Sequence, residues 1–221
     1  MTFRPKYISF DCYGTLINYK PNDMARAIFA DRIAPERMPQ FLADFTAYRL
    51  DEVLGPWQPL GDVLKNALRR LSRKWKLQYV DAEAQSICDA VPTWGPHPDV
   101  TAGLAKIADR IPLVILSNAD DKDILKNVEL LGVPFHRVYT AEQAQAYKPR
   151  MRPFEYMIDA LGCNPEDMLH VSSSLRYDLM TAHDVGIRDK AWINRGHGPG
   201  NPEYGYTEIA DAGGLAALVG L

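Results

Sequence analysis

Tyr7-Ile8-Ser9-Phe10-Asp11-Cys12-Tyr13-Gly14-Thr15-Leu16 is the stretch that decides the fold of this 221-residue chain. A short apolar run bounded by a turn signal is the pattern of a fully buried strand. Here the run ends in a carboxylate, and Gly14 marks the tight turn that follows. In open α/β sheets ligands bind outside the carboxyl ends of the strands, which is where this strand would deliver Asp11. A carboxylate there can serve as a covalent nucleophile. On this segment alone Asp11 can equally well cap the next turn. Working outward, three more segments have the same character. Leu113-Val114-Ile115-Leu116 runs into Ser117-Asn118, and Lys148-Pro149 follows a glutamine-rich loop and precedes a helical pattern. Met168-Leu169-His170-Val171 runs into Ser172-Ser173-Ser174 and then Asp178.

Strand-like runs fall at 7–10, 113–116, 137–140, 168–171 and 190–193. The helical patterns between them run from about Asp99, a candidate cap, to Arg110, and from Asp121 to Leu131 ahead of Gly132. Two more run from Pro153 to a stop at Gly162 and from Arg176 to a stop at Gly186. Proline in a first turn and glycine just past a last turn are ordinary helix punctuation. Apolar strands alternating with capped helices predict an α/β fold with a doubly wound, mostly parallel sheet. Residues 18–97 read differently. They are helical at about 22–33, 38–54, 60–75 and 81–90, with prolines at 21, 35, 39, 56, 59 and 92 at the breaks. The proline-rich segment Pro92–Pro98 has the look of a return linker. The expected organisation is a core of 1–17 and 98–221 interrupted by a helical insert, 18–97. The glycine-, proline- and tyrosine-rich stretch 195–206 is expected to be a surface loop.

A net charge of −3 supplies no basic footprint for nucleic acid. No apolar stretch approaches the ~20 residues of a membrane span, and the N-terminus lacks a signal-peptide pattern. Three cysteines, Cys12, Cys88 and Cys163, are odd in number and without metal-ligand spacing, which fits a reducing cytoplasm. Cys12, with no histidine near it in sequence, is expected to pack at the strand end. His170 lies inside an apolar run and reads as a core residue; His97, His136, His183 and His197 show no ligand spacing.

With these segments in hand, the chain resembles the haloacid dehalogenase superfamily, type II branch. The four motifs appear in order: Asp11 with Thr15, then Ser117, then Lys148, then Asp178. Ala191-Trp192-Ile193-Asn194-Arg195 adds a match typical of the type II branch, and the resemblance covers the chain apart from the insert after the first motif. The resemblance implies a hydrolase most like an (S)-2-haloacid dehalogenase, a helical cap closing over Asp11, and no cofactor. It implies a small carboxylic acid as partner, no nucleic acid and no membrane, and it allows a homodimer.

The departures sharpen this. Phosphatases of the superfamily carry an acid two residues after the nucleophile, where this chain has Tyr13, and a Gly-Asp pair where it has Ser172-Ser173. A hard cation wants several oxygen ligands, with carboxylates carrying the charge. Halide leaves without a proton, and a small monocarboxylate needs no divalent metal to hold it, so no metal is expected. By resemblance Asp11 attacks the carbon beside the substrate carboxylate, Lys148 keeps it ionised, and Asp178 pairs with Lys148 and helps place water. Thr15, Ser172 and Ser174 supply hydroxyls. Ser117 and Asn118 hold the substrate carboxylate and leaving group, and Tyr13, Trp57 and Phe154 form an apolar wall. The cap arginine of these dehalogenases aligns with Thr46; Arg49, one helical turn on, is the candidate replacement. Hydrolytic opening of a strained C–N bond beside a carboxylate would use the same nucleophile. A Mg²⁺-dependent phosphatase and a non-catalytic binding protein on the same fold are the rivals.

Overall fold

The computed structural model describes residues 4–221. Six strands form one parallel sheet: β1 (Tyr7–Phe10), β2 (Leu113–Ser117), β3 (Arg137–Thr140), β4 (Met168–Ser172), β5 (Asp189–Ile193) and β6 (Thr207–Ile209). Their spatial order is β3-β2-β1-β4-β5-β6. From β1 the chain steps out one way through β2 and β3, then restarts beside β1 and steps out the other way. Right-handed crossovers then put helices on opposite faces, which makes the sheet doubly wound, with β1 at the switch point. The central strands β2 and β4 are buried at every residue, which is why they read as continuous apolar runs. β6 lies just beyond the expected 195–206 loop, where no strand was expected. It is a short polar edge strand of Thr207, Glu208 and Ile209, with no apolar run to betray it.

The chain divides into two compact units, one through Asn18 and again from Gly95 to Leu221, the other Tyr19–Trp94. The second unit holds four helices: α1 (Pro21–Phe29), α2 (Met38–Leu54), α3 (Leu60–Trp75) and α4 (Asp81–Ala90). Its core is built from buried Phe29, Phe41, Phe45, Val63, Leu68 and Leu71. Phe41 packs against Phe29 and edge-on against Trp75. Buried Asp44 is held by Lys74, Trp75 Nε1 and Gln40.

The first unit carries α5 (Val100–Ala105), α6 (Asp121–Leu130), α7 (Ala141–Ala144), α8 (Arg152–Leu161), α9 (Met180–Asp184) and α10 (Leu215–Leu218). Phe154 and Met157 of α8 and Ala182 of α9 pack with Val114, Leu116, Tyr139 and Met168 of the sheet. Two expected helices are altered. The 99–110 pattern gives only α5, and Asp99, although at its N-cap position, does not cap with its side chain. That carboxylate instead takes both Arg195 amines and the backbone N–H of Ala212. Burial works against its ionisation, but these donors outweigh it and hold the carboxyl down at about 2. The 176–186 pattern opens as a π-turn, Leu175–Leu179, before α9. Such one-residue expansions of a helix frequently sit at functional sites, and this one carries Asp178.

Candidate active site

Asp11 follows β1 directly, with its N–H bonded to the carbonyl of Val171 on β4. Gly14, at φ +96°, turns the chain in a conformation that a side chain would strain. Thr15 then folds back, and its Oγ1 donates to Asp11 Oδ2 at 2.5 Å while accepting from the Ser173 N–H at 2.8 Å. The turn is clamped from β5 and beyond. Trp192 Nε1 donates to the Ser173 carbonyl, Arg195 Nε donates to the Thr15 carbonyl, and the His97 and His197 rings both face the Gly14 carbonyl.

Lys148 is the centre of the arrangement. Its ammonium is 1 % exposed and donates to Asp11 Oδ1 at 2.8 Å, Asp178 Oδ1 at 2.6 Å and the Leu116 carbonyl at 2.7 Å. Three directed acceptors use all three of its protons. Its backbone is fixed by Asn118, whose amide accepts from Lys148 N–H and donates to Lys148 C=O, both at 2.8 Å. The Asn118 side chain, expected on the leaving group, is therefore committed to positioning the lysine loop.

One cation shared between two buried carboxylates sets the electrostatics. Burial pushes the Asp11 carboxyl above the usual range, and Lys148 only partly offsets this because Asp178 adds its own negative charge. Burial also opposes ionisation of Asp178, yet Lys148 and His170 together hold its carboxyl low. Lys148 loses hydration on burial, but the two carboxylates more than compensate and raise it, so it stays charged. Cys12 is the reverse case: burial and neighbouring Asp11 push its thiol up, leaving it inert.

The remaining expected residues divide clearly. Ser172 Oγ accepts from Ser174 N–H and Ser174 Oγ from Tyr177 N–H, so both hydroxyls cap the turn that delivers Asp178. Ser117 Oγ and Asp178 Oδ2 are buried with no hydrogen-bond partner among the described residues. Tyr13 donates its phenol proton to Asn127 on α6. Phe154 corrects the apolar-wall expectation: it is fully buried in the core, edge-on to His170, and offers no face to a ligand. In the other unit Arg49 Nη2 donates to Asn22 and Thr46, its guanidinium lies over Phe45, and its Nε has no hydrogen-bond partner among the described residues. Trp57 Nε1 is likewise buried and without a hydrogen-bond partner among the described residues. The contribution of His170 was not legible as a role. It faces Asp178 through Nε2 and Ser9 through Nδ1.

The site lacks the set of carboxylates that a Mg²⁺ ion favours. The ammonium of Lys148 bonds both carboxylates that would ligate the ion, and Ser173 supplies a hydroxyl bonded to the Gly14 carbonyl instead of a third carboxylate. Among the described residues no group of three or more His, Cys, Asp or Glu could hold a metal ion. No helix among them is long and apolar enough to cross a membrane.

Comparison with known proteins agrees with this geometry. The chain is 30 % identical over 227 residues to the (S)-2-haloacid dehalogenase of Pseudomonas sp. strain YL, covering 98 % of this chain and 94 % of that one. The structure of L-2-haloacid dehalogenase from Xanthobacter autotrophicus with chloropropionic acid covalently bound superposes with a TM-score of 0.78, at 20 % identity, covering 97 % and 98 % of the two chains. A shorter match, 26 % identical over 102 residues, reaches the rat N-acylneuraminate-9-phosphatase but covers only 45 % of this chain and 41 % of the phosphatase. A family profile described as haloacid dehalogenase-like hydrolase spans residues 5–186, and with a full-length relative at this identity and the same sheet, this hydrolytic enzyme belongs to the haloacid dehalogenase-like hydrolase family.

Proposed function

We propose that the protein displaces a leaving group from C2 of a small carboxylic acid through a covalent ester on Asp11, without a metal, in the manner of an (S)-2-haloacid dehalogenase. The observation that carries this is the Lys148 ammonium bonded to both Asp11 and Asp178. It supplies the positive charge that a metal supplies elsewhere, and keeps the nucleophile ionised despite its burial. Asp11 attacks C2, a C–O bond forms as the carbon–halogen bond breaks, and halide departs with the bonding pair. Water then adds to the Asp11 ester carbonyl, giving up a proton to Asp178. The acyl C–O bond breaks, the 2-hydroxy acid takes that proton, and the second proton of the water leaves to solvent, so Asp11 returns as a carboxylate with one oxygen from water. The unpaired Ser117 hydroxyl and the neighbouring backbone are assigned to the substrate carboxylate. The helical unit is assigned the role of a cap that excludes water from the first step.

The test is turnover of a panel of (S)-2-haloacids and phosphate monoesters, with EDTA and with added Mg²⁺. Haloacid turnover unchanged by EDTA is expected, because the lysine already supplies a cation to both carboxylates. Strict Mg²⁺ dependence with phosphate ester hydrolysis would establish the phosphatase instead.

Arg49 is assigned to the anionic substrate because its planar fork suits a carboxylate and its Nε is unpaired. Arg49→Lys is expected to lower kcat/KM for haloacids on the order of tenfold to a hundredfold, the worth of a charge-assisted hydrogen bond. Arg49→Ala is expected to lose more, with melting temperature little changed. Parental kinetics in both variants would remove Arg49 from the site. An acid with a strained C–N bond would then be the better substrate, since a departing halide needs a cation or donor to receive it.

A further inference from the structure

We infer that His170 is a positioning residue for the second half of the reaction: it orients the Asp178 carboxylate so that Oδ2 is left free to take the proton of the hydrolytic water. This rests on the two-step mechanism proposed above.

The geometry is closed on every side but one. Ser9 and His170 are register partners on β1 and β4, so their side chains share a face of the sheet. The ring is fully buried, its Nδ1 lies 2.9 Å from Ser9 Oγ, and its Nε2 lies 3.2 Å from Asp178 Oδ1. Phe154 stands edge-on to it at 5.1 Å and fixes its plane. Nε2 faces an oxygen already bonded to the Lys148 ammonium, so that nitrogen carries the proton and donates. Nδ1 is then available to the Ser9 hydroxyl. Asp178 Oδ1 thus receives two donors, Lys148 and His170. Oδ2 is buried and receives none among the described residues. A buried carboxylate oxygen without a donor costs free energy unless something else occupies it, and a water molecule poised to react is the occupant the mechanism requires.

The two donors differ in when they matter. Lys148 bonds both Asp11 and Asp178, so it acts in both steps. His170 bonds Asp178 as its only carboxylate, and Asp178 gives or takes no atom in forming the C–O bond to C2. Loss of His170 should therefore slow ester hydrolysis and spare ester formation. A residue that merely filled the core would alter both steps or neither.

The experiment compares the parent, His170→Phe and His170→Gln with (S)-2-chloropropionate, followed by rapid quench and intact mass. Phenylalanine fills the ring's place without a donor, and glutamine restores one. The parent is expected to turn over with little adduct present. His170→Phe is expected to form the Asp11 ester at the parental rate and to hydrolyse it roughly ten to a hundred times more slowly, the scale of a small misplacement of a reacting group. The adduct, heavier than the protein by the acid minus hydrogen chloride and carried on Asp11, should accumulate. His170→Gln should recover part of the hydrolysis rate. Parental turnover with equal hydrolysis rates in the folded His170→Phe variant overturns the role of His170, as does equal slowing of both steps. Should His170→Phe not fold, His170→Leu, which also removes the donor, decides by the same ratio of the two rates. A parent that neither turns over nor forms an adduct with any 2-haloacid overturns the haloacid mechanism itself, and this role falls with it.

Discussion

Asp11→Asn is expected to abolish turnover, by about 10⁴-fold or more, the scale seen when a covalent nucleophile is removed, while leaving the fold intact. The substitution keeps the shape and removes the charge. The new amide oxygen can face Lys148, and its NH₂ can face Thr15 Oγ1, a hydroxyl free to turn and accept. The buried cluster loses a carboxylate whose ionisation burial already opposes, so thermal stability should hold or rise. Oxygen labelling then tests the mechanism in the parent protein. With enzyme in excess over substrate in ¹⁸O-water, the first-turnover product should carry no label, because its new oxygen comes from Asp11. The protein itself should gain the label. Label in the first-turnover product would mean that water attacks C2 directly, with Asp11 as base.

Much of this site was legible because parallel strands buried on both faces appear as uninterrupted apolar runs. Each such run ended at or directly before a residue of the candidate site: Asp11, Ser117, Ser172. Lys148 was legible only by its place in the order of motifs, since its loop has no periodicity. What the sequence hid was mostly where polar groups spend their hydrogen bonds. Asn118 looks the same whether it faces a ligand or a lysine backbone, and Phe154 looks the same facing a cleft or His170. Asp99 sits where a cap should sit, yet Arg195, nearly a hundred residues on, takes its carboxylate. α5 stops early, and Gly103 within it lies so close to Ala212 that a Cβ would come within 2.6 Å of its backbone. That is a tertiary contact, and local pattern does not report it. The π-turn at Leu175–Leu179 likewise leaves no trace in a 3.6-residue period. His170 did leave a signal. Ser9 and His170 are each the third residue of a four-residue run that is otherwise largely apolar, in strands that lie side by side. Two polar residues at matching heights in neighbouring buried strands must satisfy each other or a third group.

Removing the Lys148 charge should have the largest effect on the folded state. Lys148→Met leaves Asp11 and Asp178 buried together with no ammonium between them. Truncating one partner of a buried pair costs roughly 3–5 kcal/mol, which for a chain of this size corresponds to a melting temperature lower by about 10 °C. Activity should fall by at least about 10³-fold, since burial and Asp178 would drive Asp11 further above its already raised range and disfavour the ionised nucleophile. The sign of the pH dependence follows. In the variant both carboxyls titrate higher folded than unfolded, so stability is fully present below the unfolded carboxyl range and is lost as pH rises through the folded values. The melting deficit against the parent should therefore shrink on acidification. Adding Asp178→Asn to Lys148→Met separates the two consequences. With one carboxylate and no cation left, the repulsion is gone, so much of the melting temperature should return. Turnover should not, because Asp11 still lacks its cation and the water has lost its base. If Lys148→Met instead melts with the parent and turns haloacids over within tenfold of it, the lysine is not what keeps the buried nucleophile charged.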